Sequence, residues 1–555
     1  MPTPKINSQH SSELYTFAGK DVPWLAKLWA TQTPDKTFLI WEPKEGESQS
    51  WAYQEFWQTI NKVACGLIAK GIKKGDTLLI HAENCPEMMI AWYASSLVGS
   101  IAVTTNTRCI GNELAYFAEH SGAVGCITQP KFIQELATNA KTIQWFVVTD
   151  NNAGDAPTDT EQNHGFPSWS SLFTHGDTAP TRPAEPMLPV GIQYTSGTTA
   201  RPKAVVHTHA NALWGGQSGA QNLLMTSDDV YLVFLPCFHV NAQSWSFWSM
   251  MWCGGTIVLQ PKFSSSKFWE VSVKYQCTRA SMIPFCFKAI GAQPVPEHFY
   301  KTWSTGVKIH GVEQYWKVTS FATWGMTETV THATRSDILQ DSPEMNIGVP
   351  APGYEFAVMN PQTGEYCSIG ENGELYVRGT RGIQLFYEYY KNPEAMQKSF
   401  THDGWFATGD MARVEADGYF YFADRDKDIL KVGGENVSAR QVEEFVGQLL
   451  GMGILDEHAV VAQKHPMLDE VPVLFAIKSV WTQMSEDEIR QKIMTGCAKD
   501  LADFKRPRHV YFLEDFPRAT LEKIAKNKLR EMADELADQQ HESQTSEKIP
   551  ETQLN

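Results

Sequence analysis

A loop rich in hydroxyl groups lies near the middle of the chain, where residues 195–203 read Thr-Ser-Gly-Thr-Thr-Ala-Arg-Pro-Lys. The glycine lets the backbone turn tightly, and the hydroxyl and backbone N–H groups can donate to anionic oxygens. We therefore predict a phosphate-binding loop, although an ordinary solvated turn has a similar composition. The Walker spacing is absent, so this is not the loop of P-loop NTPases. The candidate phosphate contacts are Thr195, Ser196, Gly197, Thr198, Thr199 and Lys203.

Three further positions offer side chains for the same chemistry. Glu328 follows Thr327 after a small-residue turn, and its carboxylate could bind Mg²⁺ beside phosphate, since this cation prefers oxygen ligands. Asp410 ends a glycine-bounded turn and could accept hydrogen bonds from ribose hydroxyls. His239 ends an uncharged strand. Each position also has a structural interpretation, namely a helix cap, a turn aspartate and a core histidine.

The composition excludes several classes of protein. The chain has 555 residues and a formal net charge of −16, so a nucleic-acid partner is not expected. The ten cysteines are scattered singly, which indicates reduced thiols instead of a disulfide framework or a zinc site. No apolar secretory segment opens the sequence, so we expect a cytoplasmic location. The uncharged stretch 230–261 is interrupted by polar residues and Pro236, so no membrane span is expected.

Alternating strands and helices must position these residues. The first part of the chain predicts helices at 51–71 and 86–98, and buried strands at 77–81, 101–103 and 145–148. Such alternation predicts crossover units and sheets that are covered on both faces. Later turn-and-strand patterns predict a β-rich subdomain. The expected fold class is α/β, with a large N-terminal domain of layered α/β/α subdomains plus the β-rich subdomain.

The composition of the sequence changes at residues 424–428, where five charged residues follow one another and glycines come shortly after. Such a run between apolar strands indicates a mobile domain junction. Beyond it, helical and strand patterns of mixed order predict a small mobile α+β domain. The predicted domains are residues 1–426 and 427–537, followed by a polar tail at 538–555 for which we expect disorder.

Taken together and in this order, the motifs resemble those of the adenylate-forming superfamily of acyl-CoA synthetases, peptide-synthetase adenylation domains and beetle luciferases. The resemblance extends from about Trp51 to Arg530. It implies that ATP, Mg²⁺ and coenzyme A are the cofactors. It also implies a two-step reaction, in which a carboxylic acid is first adenylated with release of pyrophosphate and is then transferred to the thiol of coenzyme A.

The resemblance assigns roles to the nucleotide-binding motifs. The loop at 195–203 would surround the β- and γ-phosphates, Thr327 would contact phosphate and Glu328 would hold Mg²⁺. Trp324 would lie near adenine. The turn that normally touches adenine has no clear match in this sequence, and Gly306 is the best candidate for it.

The resemblance also covers the domain junction. Asp410 and Arg425 would hold the ribose, and Lys427 falls at the hinge position. Gly433 and Gly434 belong to the loop that would line the pantetheine tunnel in the second step.

Two residues would act at the reacting groups. Lys523 matches the lysine that bridges the carboxylate and the α-phosphate, and His239 matches a residue that acts as a gate for the thiol. The chain departs from the family pattern at Ala200, Ala204 and Glu522, where glycine is usual. Glu522 puts a negative charge beside Lys523, which leaves Lys526 as a possible substitute, and these lysines alone could be solvated helix charges.

Other positions bear on the acid that is activated. Val240 stands where amino-acid-activating domains carry an aspartate, so an amino acid is disfavoured. Gly325 stands where acetate-specific enzymes have a second aromatic residue, which implies a deeper pocket. The chain looks most like carnitine/crotonobetaine–CoA ligases. Trp245, with Trp248 and Trp252, could then form a cation–π box, although tryptophans at helical spacing are more often core residues.

The expected partner is therefore a small carboxylic acid, either betaine-like with a quaternary ammonium or sulfonium group, or of short to medium chain length. A homodimer is one possible assembly. Three alternatives share the same adenylation motifs: a luciferase-like oxygenase, an adenylase that loads a carrier protein, and a catalytically silent ATP-binding relative.

Overall fold

The structure is a computed structural model that describes residues 17–151, 163–195, 202–282, 286, 307–308, 315–316, 323–336, 346–360, 363–422, 429–451, 453–517, 524 and 526–546. The chain divides into a larger unit, formed by most of residues 1–423, and a smaller unit, formed mainly by residues 424–555. The predicted junction between residues 426 and 427 lies outside the described ranges, so the domain limits stay a prediction.

A seven-stranded sheet of the larger unit carries the loop predicted to bind phosphate. Five neighbouring strands run parallel to one another. Lys203–Thr208 pairs antiparallel with the last of them, and the edge strand Glu388–Tyr389 pairs antiparallel with Lys203–Thr208. Every residue of Thr77–His81 is buried, as expected for a parallel strand covered on both faces. In spatial order the strands are Glu388–Tyr389, Lys203–Thr208, Pro189–Thr195, Ile101–Thr104, Thr77–His81, Gly125–Thr128 and Trp145–Val148.

A five-stranded sheet joins distant parts of the sequence within the same unit. Leu39 pairs with Ile257 in parallel register, so the early chain packs beside the strand that ends the uncharged stretch. Four of the strands are parallel, and the edge strand Gln49–Ala52 is antiparallel. The order is Arg279–Ala280, Val230–Val233, Thr256–Leu259, Thr37–Trp41 and Gln49–Ala52.

The predicted β-rich subdomain is a six-stranded antiparallel sheet. Buried and half-buried residues alternate along Gly373–Arg378, which is typical of an antiparallel strand with one face on a core. Val307–Lys308 and Tyr315–Trp316 form a separate antiparallel pair. The order in the large sheet is Thr334–Arg335, Asn346–Pro350, Phe420–Phe422, Phe406–Val414, Gly373–Arg378 and Glu355–Met359.

The helices of the larger unit begin and end at recognisable signals. Pro86–Val98 has proline in its first turn and ends at Gly99, whose φ of 84° suits glycine. No helix in the described ranges is long and apolar enough to cross a membrane. The α-helices are Val22–Gln32, Tyr53–Ala69, Pro86–Val98, Asn112–Ser121, Pro130–Asn139, His209–Asn222, Ser249–Cys253, Phe268–Lys274 and Pro393–Ser399, with 3₁₀ turns at Trp169–Thr174 and Thr327–Thr329 and a π-helix at Asn241–Trp248.

The smaller unit is an α+β fold with its own apolar clusters. Its sheet has the order Glu435–Ser438, Ile429–Val432, Asp469–Lys478 and Leu455–His465, with Val510–Phe512 parallel to Asp469–Lys478. The last helix continues to Ser546, so helix extends into the tail for which disorder was expected, because glutamine and glutamate there favour helix. Its helices are Ala439–Leu450, Glu486–Asp500, Lys526–Ser546 and the 3₁₀ turn Asp503–Lys505.

Candidate active site

The predicted phosphate loop joins two antiparallel strands. Thr195, the last residue of one strand, pairs with Lys203, the first residue of the next, so both ends of the loop are fixed by the sheet. The ammonium of Lys203 lies 4.7 Å from the centre of the Tyr389 ring, within the range of a cation–π interaction. Residues 196–201, which include Ser196, Gly197, Thr198 and Thr199, lie outside the described part of the chain.

Glu328 lies buried beside the same tyrosine. The hydroxyl of Tyr389 donates to Oε1 of Glu328 at 2.9 Å. Burial raises the pKa of Glu328, and the hydrogen bond from Tyr389 and the charge of Lys203 oppose that rise only in part. The negative charge of Asp410 also raises the pKa of Glu328, so the two carboxylates lie close enough to interact electrostatically. One phenol ring therefore connects a residue predicted to bind phosphate with one predicted to bind Mg²⁺.

Tyr389 was missed by the sequence analysis. It lies on a two-residue strand that pairs with Val205, next to the phosphate loop in the sheet but far from it in the sequence. The pair Tyr389–Tyr390, just ahead of a helix that opens with Asn-Pro, is the only local signal, and it does not indicate Glu328 as the partner.

Two of the residues predicted to contact adenosine, Trp324 and Asp410, are in contact with each other. The indole Nε1 of Trp324 donates to Oδ2 of Asp410 at 2.9 Å, and both side chains are buried. Trp324 also packs edge-to-face against Phe356, with 5.6 Å between ring centres. The contact brings two loops together that are 86 residues apart.

A strained turn follows the Thr327–Thr329 helix. Val330 has φ of 67° and ψ of −46°, a conformation that a β-branched residue rarely adopts. The N–H of Thr331 donates to the carbonyl of Thr329 at 2.6 Å, which closes a γ-turn around Val330. Tyr354 supports the turn by donating to the same carbonyl at 2.6 Å. Strain held in this way is common at functional sites.

His207 holds the start of the same segment. Its Nε2 lies 2.8 Å from the carbonyl oxygen of Thr327, so Nε2 carries the proton and donates. Burial lowers the pKa of His207 to about 4, which keeps the ring neutral near pH 7. The ring also packs edge-to-face on Trp248 at 5.8 Å. His207 therefore connects the Thr327 turn to the helix that carries the predicted acid-pocket residues.

That helix begins after His239 and Val240 and is wound as a π-helix over Asn241–Trp248. The N–H of Gln243 donates to the carbonyl of His239 at 3.1 Å. The Nε2 of Gln193 donates to Oε1 of Gln243 at 2.5 Å, which ties the helix to the strand preceding the phosphate loop. π-Helices are rare and are often found at functional sites.

The three tryptophans of this segment have different aromatic neighbours. Trp245 contacts the ring of His332 at 3.9 Å. Trp248 packs against Trp92 at 5.7 Å, and Trp252 packs against Phe17 at 6.4 Å. These separate environments argue against a cation–π box formed by all three indoles.

Gly325 lies where two backbone segments approach closely. A Cβ atom at this position would lie 2.6 Å from the carbonyl oxygen of Thr331 and 3.3 Å from Cα of His332. The glycine is therefore required by packing, which sequence alone did not indicate. His332 is therefore close to two predicted pocket residues, to Gly325 through its Cα atom and to Trp245 through its ring.

In the smaller unit, Gly433 and Gly434 form the turn between two antiparallel strands. Their φ angles are 56° and 86°, the combination that a two-residue type I′ turn requires and that glycine provides. The N–H of Gly433 donates to the carbonyl of Leu468 at 2.8 Å. Other predicted site residues fall outside the described ranges: Gly306, Arg425, Lys427 and Lys523.

The described residues do not form a metal site made of several protein ligands. The described residues contain no group of three or more His, Cys, Asp or Glu side chains that could hold a metal. Glu328 would therefore supply a single carboxylate, with phosphate oxygens and waters as the other ligands, which is a usual arrangement for Mg²⁺. The residues present fit this kind of site.

Comparison with known proteins identifies the family of the chain. The profile of the family described as "AMP-binding enzyme" matches residues 27–390, and that of "AMP-binding enzyme C-terminal domain" matches residues 448–523. The crotonobetaine/carnitine–CoA ligase of Salmonella typhimurium is 30% identical over 521 residues, covering 89% of this chain and 96% of that protein. The ligase of the same name from Proteus mirabilis is 30% identical over 540 residues, covering 91% and 98%.

Solved structures share the fold. A double mutant of o-succinylbenzoate CoA synthetase from Bacillus subtilis gives a TM-score of 0.73 at 24% identity, covering 91% of this chain and 97% of that one. ATP-bound MatB from Rhodopseudomonas palustris gives 0.63 at 23% identity, covering 93% and 100%. The chain therefore belongs to the AMP-binding enzyme family, in the acyl-CoA ligase group of the adenylate-forming superfamily.

Proposed function

We propose that this ligase activates a small carboxylic acid in two steps. The carboxylate attacks the α-phosphate of ATP, forming acyl-AMP and releasing pyrophosphate, and the thiol of coenzyme A then displaces AMP to give the thioester. The observation that carries the proposal is the convergence of Lys203, Tyr389 and Glu328 beside the phosphate loop, with Trp324 and Asp410 in contact nearby.

Lys203 and the loop residues Thr195, Ser196, Gly197, Thr198 and Thr199 would bind the β- and γ-phosphates. The ring of Tyr389 limits where the ammonium of Lys203 can lie. Thr327 would contact phosphate, and the hydrogen bond from His207 to its carbonyl fixes the backbone there. Because Lys203 and the backbone at Thr327 are held in place before ATP binds, they would not need to reorganise as negative charge develops.

Glu328 would hold Mg²⁺. A buried carboxylate whose pKa is raised lacks enough positive charge around it, although Lys203 and the Tyr389 hydroxyl lie nearby. A divalent cation would supply that charge and would neutralise the phosphates as the acid attacks. In the apo protein, the hydrogen bond from Tyr389 keeps one carboxylate oxygen oriented.

Trp324 and Asp410 would bind the nucleoside, together with Arg425 and a turn near Gly306. The hydrogen bond between the indole and the carboxylate orients Asp410 so that its oxygens can accept from ribose hydroxyls. Trp324 would keep its ring beside adenine.

The C-terminal domain, residues 427–537, would turn about Lys427 and serve both steps. Lys523 would bridge the carboxylate and the α-phosphate in the first step, and the Gly433–Gly434 turn would line the pantetheine tunnel in the second. His239 would gate entry of the thiol. Two steps that need different groups favour a mobile domain.

The acid would be small and betaine-like, or of short to medium chain length. The first helical turn after Val240 offers no carboxylate for a substrate ammonium, since it reads Asn-Ala-Gln-Ser. The relatives named crotonobetaine/carnitine–CoA ligases support the betaine-like class at 30% identity.

The test is a panel of carnitine-like betaines, sulfonium acids, short and medium fatty acids, and aryl acids. Pyrophosphate release is measured for each acid with and without coenzyme A, and thioester is quantified. We expect acid-dependent pyrophosphate release and a thioester that forms only with coenzyme A. ATP binding without any acid-dependent release would contradict the proposal, and oxygen consumption would indicate an oxygenase.

A further inference from the structure

His332 is a buried imidazole beside the predicted acid pocket. Only 5% of its surface is exposed, and its Nδ1 has no hydrogen-bond partner among the residues that the structure describes. Leaving such a group unsatisfied costs about 1–3 kcal/mol, so a partner beyond the described residues is expected for Nδ1. Nothing in the sequence motifs singled this residue out.

The position of His332 follows from the strained turn that precedes it. The γ-turn at Val330 directs the chain back beneath Gly325, whose missing side chain leaves room for the backbone of Thr331 and His332. The imidazole then contacts the indole of Trp245, with 3.9 Å between ring centres and 34° between ring planes. His332 is therefore close to two residues, Gly325 and Trp245, that the family resemblance places in the acid pocket.

Trp245 also has a buried polar atom without a partner among the described residues. Its Nε1–H is buried and lacks a hydrogen-bond partner in the described part of the chain. An indole N–H can only donate, whereas a neutral imidazole nitrogen can donate or accept according to its tautomer. Two neighbouring rings thus carry one buried donor and one buried nitrogen of adaptable role, both without a partner among the described residues.

The charge state of His332 limits what it can recognise. Burial lowers the pKa of His332 to about 3, so the imidazole is neutral at physiological pH. A neutral ring gives no charge to balance a second carboxylate on the substrate. A hydroxyl oxygen can accept from the indole N–H while its proton goes to an imidazole nitrogen, and a carbonyl oxygen can accept from either ring.

We propose that His332, together with Trp245, makes this ligase selective for acids whose acyl chain carries a neutral hydrogen-bonding oxygen, above all a hydroxyl group. The proposal rests on the proposed function, because it names the substrate class of that same pocket. Sites built to bond a hydroxyl reject the analogue that lacks it far more strongly than an apolar pocket rejects an added methylene.

The test compares matched acids that differ only in this oxygen: a hydroxy acid, the corresponding keto acid and the unsubstituted acid, each in plain and betaine form. Pyrophosphate release is measured for the wild type, His332→Leu and His332→Asn, in which the amide nitrogen replaces Nδ1. His81→Leu is the control, since His81 is also a buried imidazole but its Nδ1 lies 2.9 Å from Thr105 Oγ1.

We expect the wild type to favour the hydroxy acid at least about tenfold in kcat/KM, the effect of about 1.4 kcal/mol. His332→Leu should bring that ratio close to one, His332→Asn should restore part of it, and His81→Leu should leave it unchanged. A wild-type ratio near one, or a ratio that survives in His332→Leu, would overturn the proposal and leave buried water as the partner of Nδ1.

A binding measurement separates this result from the proposed function. The same acids are added with ATP, and the unfolding midpoint of each variant is recorded, because a ligand that binds the native state raises it. A larger rise with the hydroxy acid in wild type than in His332→Leu would support the assignment of His332 even if no pyrophosphate were released. Equal rises in both proteins would refute it.

Discussion

Tyr389 joins the phosphate and metal parts of the site through two different properties of one side chain. Its ring faces Lys203, and its hydroxyl donates to Glu328. Hydrogen bonds to charged groups contribute about 1.5–3 kcal/mol, so this contact is strong enough to matter for positioning. The two functions can be separated, because phenylalanine keeps the ring and removes only the hydroxyl.

Tyr389→Phe should therefore lower kcat/KM for acid-dependent pyrophosphate release by about tenfold or more, since Glu328 would lose its orienting donor. The requirement for Mg²⁺ should rise at the same time, which a general loss of stability would not produce. Tyr389→Leu, which also removes the ring beside Lys203, should lose more.

The matched control is Tyr390→Phe at the next position. The hydroxyl of Tyr390 donates weakly to the carbonyl of Ser121 at 3.4 Å, away from Glu328. Its removal should leave both kcat/KM and the Mg²⁺ requirement near the wild-type values. Equal losses in the two variants would show that the hydroxyl of Tyr389 has no special role.

At the scale of elements, sequence periodicity predicted the regular structure well. The strand Thr77–His81 and the helix Pro86–Val98 have the bounds expected from apolar runs, turn residues and proline. The π-helix was not predicted, because an apolar and aromatic run does not distinguish its hydrogen-bond pattern from that of an α-helix. The position of His332 could not be predicted either, because it depends on a γ-turn at Val330, where a β-branched residue gives no turn signal.

The partner of the π-helix is a glycine-rich face of His209–Asn222. A Cβ at Gly216 would lie 2.5 Å from the carbonyl oxygen of Trp248, which is backbone and cannot move alone. Gly216→Ala should therefore shift the helix that carries Trp245. We expect a loss of stability of about 1–3 kcal/mol and an altered selectivity among acids.

The urea midpoint and the ratio of kcat/KM for two acids measure these effects. Gly447→Ala is the matched substitution in another helix, Ala439–Leu450, where the added Cβ would meet His458 at an ordinary 3.6 Å. Because alanine favours helix over glycine, this variant should gain up to about 1 kcal/mol and keep its selectivity. A neutral or stabilising Gly216→Ala would contradict the packing argument.

A second element-scale prediction concerns Glu87 at the start of Pro86–Val98. Burial raises the pKa of Glu87 to about 7, although its Oε1 accepts from the N–H groups of Asp150 and Asn151 at 3.1 and 3.0 Å. Between the ordinary value of 4.5 and about 7, the native state holds a proton that the unfolded state has released. The free energy of unfolding should therefore fall as pH rises through this range.

Glu87→Gln keeps an acceptor and cannot ionise. Relative to wild type, it should gain stability as pH rises from about 5 to 7, by about 2 kcal/mol, the larger part of the free energy that the pKa shift represents. Chemical denaturation at a series of pH values measures the difference. Parallel pH profiles for the two proteins would mean that Glu87 titrates normally.

At the scale of the whole molecule, the sequence predicted a large domain followed by a small one, and separate family profiles match residues 27–390 and 448–523. The junction expected at the charge run stays a prediction, because residues 423–428 lie outside the described ranges. The contacts from Lys203 to Tyr389 and from Trp324 to Asp410 could not be predicted from spacing, because they join residues far apart in the chain. Such pairs are fixed by the folded sheets and not by local pattern.

The proposed mechanism requires one lysine of the smaller unit to bridge the carboxylate and the α-phosphate. Lys523 and Lys526 are the two candidates, so deciding between them tests the mechanism. The ammonium of Lys526 forms an ion pair with Oε1 of Glu443 at 2.9 Å, and that oxygen also accepts the N–H of Val460 at 2.7 Å. These contacts give Lys526 a structural task inside the smaller unit. Lys523 is thereby favoured as the residue that meets the acid.

Lys523→Ala should lower acid-dependent pyrophosphate release by about 100-fold or more, the usual loss when a group that stabilises transition-state charge is removed. The variant should still form thioester from supplied acyl-AMP and coenzyme A, because that step would use the Gly433–Gly434 turn instead. Lys526→Ala should show the reverse pattern: near-normal adenylation and a lower unfolding midpoint, since Glu443 loses its cation. Normal adenylation by Lys523→Ala, with loss in Lys526→Ala, would transfer the catalytic role to Lys526 and refute this assignment.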